Sequence, residues 1–313
     1  MVSKELERKM VLGTGVDLID KEKVIEMMSE WIEGNKTKHL VTAYSEFFVR
    51  AKKDEKFRKS LMKADLVVPD GVSVLAAISY KHKILKIKKQ ILNIPENDQS
   101  NNNFINEFIR YRVLTFAKKI KLELLAVVYG LQTGWEILFC GIGQTVTGVW
   151  LTGEILRLAH EKGWRVFLLG GYGITAKQLM LKVKAQMSKA EVMADVGVGD
   201  VENTSEEDHL KVINKINEFN PDVLLVAYGP VKQEKWIYQY KEKLNAKILI
   251  GVGGTFDELT GKVKPVPEWM SRSGLKWLWR LLIQPQRWRR IWVAVAVFPW
   301  MVWKERWKQN NNQ

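Results

Sequence analysis

The feature that most constrains the fold is a recurring unit: a short apolar run, a small or polar turn, then a helical stretch. His39-Leu-Val-Thr-Ala-Tyr44 leads into a helix from Ser45, and Asp65-Leu-Val-Val68 turns at Pro69-Asp70-Gly71 into a helix over 72–79. Arg165-Val-Phe-Leu-Leu169 is followed by Gly170-Gly171-Tyr172-Gly173 and a helix from about Thr175. Asp222-Val-Leu-Leu-Val-Ala227 is followed by Gly229-Pro230 and a helix from about Gln233, and Lys247-Ile-Leu-Ile250 by Gly251-Val252-Gly253-Gly254. Near-continuous apolar strands alternating with helices predict an α/β fold with a parallel sheet covered on both faces. Ligands of such sheets bind beyond the carboxyl ends of the strands, which is where all these turns fall.

Two stretches depart from the pattern. Residues 82–144 open with a basic run, pass through Pro95-Glu-Asn-Asp-Gln-Ser-Asn-Asn-Asn103 and continue apolar and aromatic, so they read as an insertion. After Gly261 the character changes again. Between Lys262 and Lys308 stand eleven Lys/Arg against two Glu, which places +9 of the chain's +14 net charge there, with eight of its thirteen tryptophans. The expected division is therefore a domain over 1–261, carrying the insertion at about 82–144, and a helical appendage over 262–313. A charge of +14 implies an anionic partner. Trp among Arg and Lys beside aliphatics suits a segment lying in a lipid headgroup layer. A basic helix packed on the core is the alternative. Nucleic acid is disfavoured, because the apolar residues between the arginines would serve nothing there.

Other classes are bounded more simply. The single cysteine, Cys140, allows no internal disulfide, and the four histidines lack ligand spacing, so no protein-built metal site is expected. The N-terminus has no apolar signal core, and the longest apolar candidate, 291–303, is shorter than the ~18–20 residues that span a bilayer. A cytoplasmic protein, peripheral on the inner face of the membrane, is expected.

The strand-end turns hold the candidate chemistry. Asp70 could deprotonate an acceptor hydroxyl or could cap a helix. Gln233 and Glu234, after Gly229, lie near a helix N-terminus that favours anions, or are ordinary capping residues. The glycines Gly170, Gly171, Gly253 and Gly254 would let a ligand approach the backbone, or would serve tight strand–helix packing. In the tail, Arg280, Arg287 and Arg290 would fall within about 80° of one another on a continuous helix, although Pro285 interrupts that stretch.

Four blocks in order resemble the WecG/TagA/CpsF family of bacterial glycosyltransferases: Ala64-Asp-Leu-Val-Val-Pro-Asp70-Gly71, Gly229-Pro-Val-Lys-Gln233-Glu234-Lys-Trp236, Gly251-Val-Gly-Gly-Thr-Phe-Asp257, and Gly274-Leu-Lys-Trp277-Leu-Trp-Arg280 continuing to Pro285-Gln-Arg287-Trp-Arg-Arg290. The resemblance implies a Rossmann-like domain that works without a metal or other cofactor. It implies inverting transfer from a UDP-sugar, typically UDP-N-acetylmannosamine, to undecaprenyl-diphosphate-linked N-acetylglucosamine. Asp70 takes the place of the family's general base, Thr42 that of its strand-end threonine, and Gln233 that of its glutamine. Arg280, Arg287 and Arg290 match its appendage arginines, which would neutralise the departing diphosphate. The chain departs from the family at Tyr44, where Asn is usual, and at Thr145-Val-Thr-Gly-Val-Trp150, where an Arg and an Asp are usual. Those departures motivate an alternative, a catalytically weakened partner docked in a polysaccharide assembly. A homo-oligomer stays open.

Overall fold

The computed structural model describes residues 8–92, 145–264, 266–272 and 276–305. A six-stranded sheet forms its centre, built from β3 (Lys38–Ala43), β4 (Leu66–Pro69), β5 (Arg165–Gly170), β6 (Glu191–Asp195), β7 (Val223–Ala227) and β8 (Ile248–Gly251). The order is β4-β3-β8-β7-β5-β6 and every pairing is parallel. β1 (Arg8–Val11) and β2 (Thr14–Asp17) form a separate antiparallel hairpin.

Helices cover both faces, as the apolar strands require. Leu40, Leu66, Val166, Leu225 and Ile250 point to one face, into a core shared with α1 (Lys21–Glu33), α5 (Gly148–Lys162), α6 (Thr175–Gln186) and α9 (Thr255–Leu259). The other face carries two cores side by side. Val41, Ala43 and Val67 pack with α2 (Ser45–Ala51), α3 (Glu55–Met62) and α4 (Val72–Leu92). Phe167, Leu224, Val226 and Leu249 pack with α7 (Glu206–Phe219) and α8 (Lys232–Tyr240).

The expected parallel sheet is therefore present, with three additions. β6 is an edge strand, only partly buried, and its polar ends hide it from an apolar scan. The hairpin turns on Leu12 and Gly13, both at positive φ, a two-residue turn that matches strand twist. Finally, α4 does not stop at residue 79 but runs to Leu92, so residues 82–92 extend a helix of the sheet rather than open an insertion. The rest of the stretch read as an insertion, 93–144 with Cys140, lies outside the described residues.

The segment after Gly261 folds back onto this unit as α10 (Glu268–Arg272), α11 (Lys276–Ile283), α12 (Trp288–Trp292) and α13 (Phe298–Glu305). Pro285 sits in a 3₁₀ turn, Pro285–Arg287, that separates α11 from α12. A π-helical turn, Val293–Val297, joins α12 to α13. Pro299 explains it: proline has no N–H for a fourth-neighbour bond and its ring crowds that carbonyl, and the wider turn relieves both. Phe298 and Val302 are buried in the α2–α4 core, with Phe298 5.9 Å from Phe48. Glu305 accepts from the Leu12 N–H (3.1 Å) and from Lys81 (2.9 Å). No helix among the described residues is long and apolar enough to cross a membrane.

Candidate active site

The carboxyl ends of β3 and β8 open a crevice, because the chain leaves β3 for one face as α2 and leaves β8 for the other as α9. The N-terminus of α5 fits into it. A Cβ on Gly148 would meet Thr255 Oγ1 at 3.2 Å, Thr42 Oγ1 at 3.6 Å and the Val252 carbonyl at 3.8 Å, so glycine permits this approach. Asp70, the first residue beyond β4, accepts the Gly148 N–H on Oδ2 at 3.3 Å, while its own N–H donates to the Ala43 carbonyl at 2.8 Å. Asp70 thus caps a helix, but α5 rather than α4, which follows it in sequence. Its carboxylate is held at the strand ends beside the buried Thr42.

Gln233 and Glu234, at the start of α8, face inward. Glu234 is fully buried. Its carboxylate accepts from His39 Nε2 of β3 at 2.8 Å and from Gln233 Nε2 at 3.1 Å. Gln233 Oε1 in turn accepts the Gly253 N–H at 2.9 Å. Gly251 makes room for this: a Cβ there would overlap Glu234 Oε1 and lie 2.5 Å from Gln233 Nε2. Glu234, placed among the ligand-binding residues by sequence, is instead enclosed beneath the site, and its bonds act on Gln233 and the turn after β8. The turn leading into α8 is strained. The Lys232 N–H donates to the Pro230 carbonyl at 2.8 Å around Val231, whose φ is +69° and ψ −55°. A β-branched residue at positive φ in so tight a turn is a true outlier, of the kind that collects at functional sites.

The three tail arginines converge on the same crevice although Pro285 breaks their helix. Arg290 donates through Nε to Glu46 (2.7 Å) and through Nη2 to the Tyr44 hydroxyl (2.6 Å). Burial alone would lower its pKa, but Tyr44 and Glu46 hold it above the ordinary value. Burial likewise pushes the Tyr44 phenol up, so it stays protonated. Arg280 is paired with Glu258. Arg287 differs: its guanidinium has no hydrogen bond or ion pair among the described residues and stands half-buried over Gly254, Nη2 lying 3.4 Å from where a Cβ would be. Burial, with Arg290 and Arg280 beside it, depresses its pKa. A half-buried guanidinium with two like charges beside it, only partly offset by Glu258, suits the binding of an anion.

The glycine turns after β5 and β7 lie alongside. A Cβ on Gly170 (φ +89°) would lie 2.9 Å from the Tyr228 ring, so no side chain fits there, and the Gly171 N–H donates to the Ala227 carbonyl at 3.0 Å. Gly229, also at φ +89°, has open space around it. Beyond them a groove of about 720 Å³ runs between Tyr172, Gln178, Lys182 and Lys262.

Residues 9–92 and 124–312 match the glycosyl transferase WecG/TagA/CpsF family. The chain belongs to this family. The match leaves 93–123 unaligned, a shorter gap than the 82–144 expected. Among curated relatives, the N-acetylglucosaminyldiphosphoundecaprenol N-acetyl-beta-D-mannosaminyltransferase of Bacillus subtilis (strain 168) is 34% identical over 152 residues, 49% of this chain and 57% of that protein. A protein of the same name from Bacillus spizizenii is 24% identical over 279 residues, 88% of this chain and 84% of its own length. One from Staphylococcus aureus (strain MRSA252) is 27% identical over 150 residues, 48% and 56%. The chain thus spans little more than half the length of the first and third of these relatives.

Within the WecG/TagA/CpsF framework the two departures have structural consequences. Tyr44, read from the sequence as a departure, is an acceptor for Arg290 of the tail. Trp150 packs against the larger core with the Lys21 ammonium 4.8 Å over its ring, and its N–H donates to Thr147 at 3.3 Å. Sequence reasoning missed His39 and Glu46. Each is a buried polar residue with no motif around it, visible only once its partner is in place.

Proposed function

We propose that the chain is an inverting glycosyltransferase that moves N-acetylmannosamine, or a closely related sugar, from a UDP donor to undecaprenyl-diphosphate-linked N-acetylglucosamine in surface-polysaccharide synthesis. One observation carries the reading: Arg287, flanked by Arg280 and Arg290, stands over the same strand ends that present the Asp70 carboxylate. In this mechanism Asp70 takes the proton of the acceptor hydroxyl as its oxygen bonds the anomeric carbon. The bond from that carbon to the diphosphate breaks on the opposite face, and the arginines stabilise the charge that collects on UDP. Thr42 and Gln233 border the donor, with Gly170, Gly171, Gly229, Gly253 and Gly254 admitting it closely. Arginines perform the charge neutralisation that a divalent ion supplies elsewhere, so transfer proceeds without metal.

The acceptor is anchored in a bilayer, and the tail supports a membrane-facing orientation. Trp269, Trp288, Trp292 and Trp300 are each more than half exposed, with Arg289 5.5 Å from the Trp288 ring and Lys304 4.9 Å from the Trp300 ring. Aromatic rings paired with cations suit the interface of an anionic leaflet. The test is product formation from UDP-N-acetylmannosamine and a polyprenyl-diphosphate-N-acetylglucosamine analogue. The wild type forms product with or without EDTA, and Asp70→Ala does not. Abolition by EDTA would reject the metal-free mechanism. UDP binding without any product would favour the weakened-partner alternative.

A further inference from the structure

We propose that His39 is a positioning residue for the donor end of the site, acting through Glu234 and Gln233 on the turn that carries Gly254 beneath Arg287. The inference rests on the glycosyltransferase reading above and adds a residue that no motif of the sequence marks.

The geometry forms a chain without slack. His39 Nε2 donates to Glu234 Oε2 (2.8 Å), Gln233 Nε2 donates to Glu234 Oε1 (3.1 Å), and the Gly253 N–H donates to Gln233 Oε1 (2.9 Å). His39, Glu234 and Gln233 are exposed by 1%, 0% and 3%, so no water replaces a lost partner. β3, which carries His39, lies between strands of the two apolar cores that share this face of the sheet.

Each link constrains the next. The Gly253 N–H can only donate, which sets the amide of Gln233 with its oxygen toward the turn and its nitrogen toward Glu234. Glu234 holds that nitrogen only while its other oxygen is fixed, and His39 is the group that fixes it. Gly251 lets the pair sit against the strand end, because the side chains fill the space that a Cβ would need. Removing the His39 N–H therefore leaves Glu234 with one partner where it had two. The carboxylate turns, Gln233 follows, and the 251–254 turn loses its anchor. A displacement on the order of 1 Å in a binding turn can cost about 10²-fold in rate.

The test uses the full chain with His39→Leu, which removes the N–H at similar size, and His39→Gln, whose amide nitrogen can stand near the place of Nε2. Folding is checked by circular dichroism, UDP affinity by calorimetry, and KM separately for donor and acceptor. Expected for His39→Leu is a UDP Kd and donor KM raised about tenfold or more, with acceptor KM unchanged, and for His39→Gln recovery of most of the loss. If His39→Leu does not fold, His39→Asn, whose amide is too short to reach Glu234, takes its place with the same expectation. A folded variant with wild-type UDP Kd and donor KM, equal losses for both substrates, or no recovery in His39→Gln overturns the proposal. A wild-type chain that neither binds UDP nor transfers sugar overturns the glycosyltransferase reading itself, and the role of His39 with it.

Discussion

At Gly251 a single methyl group tests the strand-end arrangement. Gly251→Ala forces a carbon into Glu234 and Gln233, and overpacking of this kind costs about 1–3 kcal/mol. Chemical denaturation should show that loss, and UDP affinity should fall with it as the turn shifts. Asp65 gives a pH signature. Burial would raise its pKa, but hydrogen bonds from Lys241, the His39 N–H and Lys38 outweigh that and leave it below the ordinary carboxylate value. A depressed value in the folded state means stabilisation that is complete above the unfolded carboxylate pKa of about 4 and is lost as pH falls through the lower folded value. Asp65→Asn should therefore lower Tm at neutral pH and flatten the decline below about pH 4. Residues of this kind separate what sequence shows from what it hides. Asp70 and the three arginines could be picked out because a strand end or a charge run marks them, and Thr42 only through the family resemblance. The inward turn of Glu234 could not, since an acid at a helix start looks the same whether it meets solvent or a histidine 195 positions away.

At the scale of elements, α13 joins the tail to the body. Phe298→Ala should cost about 3–5 kcal/mol, as for other buried aromatics, in a denaturant titration of the full chain. Because the same segment carries Arg290 to Glu46 and Tyr44, the variant should also weaken UDP binding. Loss of stability with unchanged UDP affinity would separate the packing of α13 from the placement of the arginines. The elements best read from sequence were the five strands β3, β4, β5, β7 and β8, whose continuous apolar runs have few other uses. β6 escaped because, unlike β4 at the other edge, it is only partly buried and carries polar residues at both ends. The β1–β2 hairpin escaped because Leu12 adopts a positive φ that its residue type does not advertise. The break at Pro285 was legible. The convergence of its flanking arginines depends on where α11 and α12 pack, which no helical wheel contains.

Across the whole molecule, most of the net charge and most of the tryptophans are gathered in the tail, which crosses the strand ends at Arg287 and Arg290. Partition onto vesicles should therefore require anionic lipid and weaken with salt, since each basic residue near such a surface contributes about 1 kcal/mol. Replacing Trp292 and Trp300 with Ser should reduce partition in a sedimentation assay while leaving UDP affinity as it was. Partition onto purely zwitterionic vesicles that ignores salt would contradict an electrostatic contribution from the tail. The joining of Val11 and Leu12 with Phe298 and Val302 in one core, beside the Leu12–Glu305 hydrogen bond, bears on synthesis as well. On the ribosome, the hairpin and the helices around Phe48 emerge early and wait with an open apolar face until residue 302 follows. The hairpin is made well before the helix that seals it, so chaperones, or rapid arrival of that helix, would protect the face in the interval.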